Sequence, residues 1–196
     1  MPGYIGQAPN GFTDRAKGRG ITSSGWYTQI GAGGAVSAGG GNIYTGLTTK
    51  GNGADTTEDT AYTVSIPANT LDIVGRCISV QAFGSVGATS ATKTVKFYWG
   101  TSITQQIVQY TTTNTGDWQL FVQIFKDGAS TQRALIQADG TGTVTLLGSA
   151  ANRGLVVSTS GTETDTAAIV MKVTCQTTAG AASLVNVKAF IVDAYN

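Results

Sequence analysis

Fifteen of the 27 glycines in this 196-residue chain fall between Gly3 and Gly53, and this skew divides the sequence into two unequal parts. Glycine loses more backbone freedom on ordering than any other residue. A segment that carries Gly31-Ala32-Gly33-Gly34 and Gly39-Gly40-Gly41 cannot fold unaided. No 3.6-residue period and no sustained two-residue apolar period runs through it. Only Trp26-Tyr27-Thr28-Gln29-Ile30 and Asn42-Ile43-Tyr44 have strand character. Residues 1–56 are therefore expected to form an extended Gly-rich N-terminal arm, and residues 57–196 a folded domain.

An arm of this kind needs company. Fixing backbone costs about 1–2 kcal/mol per residue, so ordering ~20 residues costs on the order of 20–40 kcal/mol. At ~25 cal/mol per Å², that requires roughly 1,000 Å² or more of apolar burial. The sparse apolar residues of the arm cannot supply this among themselves. A neighbouring subunit can, so Tyr4, Ile5, Arg15, Lys17, Arg19, Trp26, Tyr27 and Ile30 are the candidate partner-binding residues. Asp14 dilutes the basic stretch Arg15, Lys17 and Arg19, which favours acidic patches on a protein over nucleic acid.

The remainder of the chain reads as strands. Ala61 to Ile66, Arg76 to Phe83, Thr94 to Trp99 and Ile103 to Tyr110 alternate or carry apolar residues on one face. Asp117 to Lys126 puts Trp118, Leu120, Val122 and Ile124 on one side and Phe121 and Phe125 on the other, as if held between two apolar surfaces. Gln132 to Ala138, Thr143 to Leu147 and Leu155 to Ser158 are shorter candidates, and Thr166 to Gln176 and Leu184 to Ala194 close the chain. The breaks between them carry turn residues: Asn114-Thr115-Gly116, Asp127-Gly128, Asp139-Gly140 and Ser160-Gly161. Eight to ten short strands without a helix predict an all-β, jelly-roll-like β-sandwich. The 31 threonines suit a half-buried pleat.

Composition removes several functions. Histidine is absent, which excludes Ser/His/Asp and Cys/His nucleophile systems and imidazole metal ligands. A net charge of +1 without a dense Lys/Arg block argues against a nucleic-acid partner. No apolar run approaches the ~20 residues that span a bilayer. The N-terminus lacks the basic and apolar regions of a secretory signal, so Cys77 and Cys175 are expected to be free, buried thiols.

Candidate chemistry is sparse. Asp55, Glu58 and Asp59, and the pair Glu163 and Asp165, could form a carboxylate dyad or a Ca²⁺ loop, but they lack calcium-loop spacing and read as solvated loop charge. The glycine runs lack the strand, helix and Lys-Ser/Thr context of a phosphate loop. Phe97, Trp99, Trp118, Phe121 and Phe125 are expected in the core, leaving Tyr98 and Tyr110 as outward candidates for surface recognition. No enzyme activity, metal or cofactor is expected.

Two stretches carry a resemblance. Tyr4-Ile5-Gly6-Gln7-Ala8-Pro9 resembles the opening of many tailed-bacteriophage virion proteins. The order Thr57-Glu58-Asp59-Thr60, Tyr62 to Leu71, Ile78 to Gly84, Lys93 to Gly100 and Asp117 to Leu120 is similar to a jelly-roll domain recurring in phage decoration, spike and tail-fibre proteins. The resemblance covers most of residues 57–194 and implies a capsid decoration (cement) protein. As implied, such a protein is made in the host bacterial cytoplasm and forms a homotrimer on the capsid surface. Its partner is the major capsid protein, and nucleic acid and membrane are not partners. The alternative it leaves open is a tail-fibre or head-spike protein that binds host glycans. On the cement reading, removal of residues 1–55 is expected to abolish capsid binding and to leave a folded β-domain.

Overall fold

The computed structural model describes residues 19–21, 27–30, 36–37, 41–100, 105–146, 149–151, 154–161 and 163–195, with side chains for 41–100, 106–143 and 163–195. Among the described residues there is no helix, and hence none long and apolar enough to cross a membrane. The described residues form sixteen strands. In the leader these are β1 (Arg19–Ile21), β2 (Tyr27–Ile30) and β3 (Val36–Ser37), followed by β4 (Gly41–Gly46) and β5 (Lys50–Gly51). Next come β6 (Asp59–Ile66), β7 (Cys77–Val86), β8 (Lys93–Trp99), β9 (Gln105–Thr112) and β10 (Gly116–Gly128). The chain ends with β11 (Thr131–Asp139), β12 (Thr143–Leu146), β13 (Ser149–Ala151), β14 (Gly154–Gly161), β15 (Ile169–Thr177) and β16 (Val185–Tyr195).

The strands form two large antiparallel sheets. One runs β14-β11-β10-β7-β16-β4, with β5 also paired to β16, and the other runs β13-β12-β9-β8-β15-β6. Below they are called the β10 sheet and the β8 sheet. The chain crosses between them at β5–β6, β6–β7, β7–β8, β9–β10, β11–β12, β13–β14, β14–β15 and β15–β16, and this alternation makes the jelly-roll-like sandwich. β1, β2 and β3 form a separate small sheet, and no ladder among the described residues joins it to the sandwich.

The expected alternation places the core. Along β10, Trp118, Leu120, Val122 and Ile124 all point inward and are at most 3% exposed. They face Phe97, Trp99, Met171 and Val173 of the β8 sheet, all fully buried. Phe121 and Phe125 lie on the outer side of the β10 sheet and are only partly buried, so β10 is not enclosed on both faces by the described residues.

The expected boundary at residue 57 is displaced. β4 pairs with β16 through Thr45↔Ile191 and Tyr44↔Val192, so the sandwich already includes residues 41–56. Tyr44 packs edge-on against Tyr62, with centroids 6.1 Å apart, and against Phe190. Asn52, 3% exposed, ties this entry segment to the loop before β16. Its Oδ1 accepts from Val185 N at 2.8 Å, its Nδ2 donates to Ala181 O at 2.8 Å, and its backbone N donates to Val185 O at 3.1 Å. The strand character of Asn42-Ile43-Tyr44 was visible in the sequence, but its place in the sandwich was not, because its partner β16 lies at the other end of the chain.

Candidate functional site

Most carboxylates singled out in the sequence hold the fold together. Asp55 is the exception: it is exposed, and the Thr57 hydroxyl and amide bind its carboxylate and keep it below the ordinary aspartate range. Asp59 accepts from Gly53 N at 2.7 Å. Glu58 pairs with Lys96. Burial pushes the Glu58 carboxyl up, but donors from Lys96, Thr174 and Tyr98 outweigh it and hold the group below the usual glutamate value. Glu163 is 7% exposed, and Gln132 clasps its backbone from both sides, at 2.6 and 2.9 Å. Asp165 meets the buried Lys126 at 3.1 Å, and the same ammonium donates to Ala129 O at 2.8 Å. The expectation of solvated loop charge is thus corrected for Glu58, Glu163 and Asp165. Each is tied to a residue distant in sequence, a link that loop composition cannot reveal. Among the described residues, no three His, Cys, Asp or Glu side chains cluster as a metal site would require.

The aromatic expectations divide. Phe97, Trp99 and Trp118 are core residues, as expected, whereas Phe121 and Phe125 are not enclosed. Tyr98 faces outward but is already engaged: Lys172 Nζ lies 4.8 Å over its ring. Burial and the neighbouring Glu58 raise its hydroxyl pKa. Tyr110 is corrected. It is 2% exposed and stacks on Trp118 with centroids 6.3 Å apart, because Val108, Tyr110 and Thr112 form the inward phase of β9. The thiols are free and buried, Cys77 on the β10 sheet and Cys175 on the β8 sheet, and burial raises them to about 11 and about 12.

Of the arm candidates, Tyr4, Ile5, Arg15, Lys17 and Trp26 lie outside the described residues. Arg19 pairs with Gln29 between β1 and β2, Tyr27 pairs with Ile21, and Ile30 pairs with Val36 of β3. Their side chains lie outside the described set.

The structure instead forms a cleft that single-strand periodicity does not show. It has a volume of about 430 Å³ and opens on the outer face of the β10 sheet near the start of β10. Phe83, Gln119 and Asp139 stand in one cross-strand row over β7, β10 and β11. Asp117 and Lys188 flank them, 3.5 Å apart. Backbone proximity shapes the floor. A Cβ on Gly84 would meet Asn186 O at 1.9 Å and the Trp118 ring at 2.5 Å, so only glycine lets these strands close. Gly140, at φ +138°, turns the chain away beside the Tyr110 ring.

The loops at this end are drawn together by Lys93. Its ammonium is fully buried and donates to Gly87 O at 3.1 Å, Thr89 O at 2.6 Å and Thr113 O at 3.0 Å. Three donors meet three carbonyls, which satisfies the charge without a carboxylate.

With this geometry in hand, the chain can be set beside known proteins. No protein-family model matches it, and no curated protein matches it. Among solved structures it is similar to the CBM2 module of the evolved Dit of Lactobacillus casei BL23 phage J-1. The identity is 10%, the TM-score is 0.36, and the match covers 81% of this chain and 97% of that module. At these values the likeness is loose.

Proposed function

We propose that this chain is a non-enzymatic structural protein of a tailed-phage virion, a capsid decoration protein. Its sandwich sits on the head surface as a homotrimer, and its glycine-rich leader bridges major capsid protein subunits. The observation that supports this reading best is the division of the chain. The sandwich closes its core with residues 41–195, and the described strands of the leader pair only with one another. The leader can then spend its aromatic and basic side chains on a neighbour. The phage-like opening phrase and the order of strand phrases support a virion setting. The pairing of the Glu58 and Asp165 carboxylates with internal lysines favours a binding role over catalysis.

The test uses a cut that the structure relocates. Deletion of residues 1–40 is expected to leave a cooperatively unfolding β-domain that no longer cosediments with phage heads stripped of this protein. Deletion of residues 1–55 also removes β4 and the Asn52 clamp and is expected to unfold at markedly lower urea. Full-affinity head binding by the chain lacking residues 1–40 overturns the leader's role. Sedimentation of the full chain as a monomer overturns the trimer.

A further inference from the structure

The two outer faces of the sandwich differ in chemistry. On the β8 sheet, the outward positions include the exposed Thr63 and Ser65, the partly buried Lys96, Thr111 and Lys172, and the buried Thr94 and Thr174, and Tyr98 is the face's one aromatic ring among the described residues. Short polar and charged groups dominate it. On the β10 sheet, register creates a checkerboard of rings and amides. Phe83 stands beside Gln119, and in the next outward row Phe121 stands between Gln81 and Gln137. Phe125 follows four residues along β10 from Phe121, about 13 Å further at 3.3 Å per residue. The row of Phe83 ends in the cleft, where Asp117, Asp139 and Lys188 converge.

We propose that this face binds a neutral oligosaccharide, with one pyranose ring seated in the cleft and the chain running along the sheet. The apolar C–H face of a pyranose can stack on the Phe83 ring, whose π face is negative. A sugar hydroxyl is both donor and acceptor, and a glutamine amide offers both functions in one plane. Gln119 therefore suits an uncharged polyol better than an ion. The Asp117 and Asp139 carboxylates accept from hydroxyl pairs, and Lys188 donates to a hydroxyl or ring oxygen. Two carboxylates against one ammonium also disfavour uronic or sialic acids, which makes the site selective for neutral sugars. The cleft volume of about 430 Å³ lies within the ~300–1,000 Å³ range of small-molecule sites. Nothing in this inference depends on where the leader docks, and the site is distinct from Tyr98 and Tyr110.

The experiment is an array of neutral hexose and N-acetylhexosamine oligosaccharides, with uronic-acid and sialylated glycans as charged comparators, probed with the full chain. The strongest neutral ligand is then titrated by calorimetry. Phe83→Ala and Gln119→Ala are each expected to weaken binding tenfold or more, while Tyr98→Ala on the opposite face leaves it unchanged. Gln119 is exposed, so its substitution reads binding even if Phe83→Ala perturbs the fold. The proposal is overturned if no neutral glycan binds at millimolar concentration, if charged glycans bind better, or if both cleft variants bind like the unaltered chain. It is also overturned if Phe83→Ala and Gln119→Ala abolish only self-association, since the face would then be a protein interface.

Discussion

Replacing Lys93 by methionine isolates one interaction on which the loop end of the sandwich depends. Methionine keeps an unbranched stem of similar volume, so the packing change is small. The ammonium and its three donors are lost; Gly87 O keeps the Thr89 N–H at 3.0 Å, whereas the carbonyls of Thr89 and Thr113 lose the donor Lys93 gave them. An orphaned carbonyl costs about 2 kcal/mol, which gives about 4 kcal/mol for the two. Relief of the ammonium's own desolvation offsets on the order of half of that, for a net loss of about 2 kcal/mol. With a urea m-value of about 2 kcal/mol per M, the unfolding midpoint should fall by about 1 M. Equilibrium urea unfolding followed by tryptophan fluorescence measures this, because Trp99 and Trp118 are buried and become exposed on unfolding. Lys96→Met is the internal control. Its partner Glu58 is partly solvated, so the loss should stay within about 1 kcal/mol. A Lys93→Met midpoint within about 0.3 M of the unaltered protein, at the m-value used above, would refute the reasoning. It would mean that the Thr89 and Thr113 carbonyls find other donors as easily as they found this one.

Two further predictions concern titration. Burial raises Cys77 to about 11 and Cys175 to about 12, above the ordinary thiol value of 9.0, so the folded chain keeps protons that the unfolded chain sheds. Their contribution to stability is complete below pH 9 and is lost as pH rises from 9 towards 11–12. Urea midpoints should decline over that window, and Cys77→Ala with Cys175→Ala should flatten the decline. A disulfide-exchange reagent should find no thiol in the native chain and two per chain in denaturant; rapid native reaction would contradict their burial. Glu58 has the opposite sign. Its folded carboxyl lies below the ordinary value of 4.5, so its contribution is present above pH 4.5 and is lost as pH falls through the folded value. Glu58→Gln should make the acid limb of the stability profile shallower by about 0.5 kcal/mol, since the pair is partly solvated. An unchanged acid limb would show that the Lys96 pair contributes nothing.

The strand inventory could be read from the sequence because its signals are local. Alternation along Asp117 to Lys126 and turn residues such as Asp127-Gly128 need no knowledge of the rest of the chain, and β10 and β11 fall where those signals put them. Burial of the thiols was legible for the same reason, since each lies in an apolar run. The inward phase of β9 was not, because Ile107 and Val108 are both apolar and the run fits either face. The roles of Glu163 and Asp165 were hidden as well: a loop acid becomes a buried anchor only when Gln132 or Lys126 is brought to it from another strand.

The amino-acid order alone determined that the chain divides into a glycine-rich leader and a β-sandwich, because backbone entropy and period-two burial act over a few neighbouring residues. Tertiary structure decided where the sandwich begins, which charges are internal, and which outer face carries rings between amides. Each of these depends on the register between strands far apart in sequence, and a slip of one residue in that register would turn Phe83, Gln119 and Asp139 towards the core.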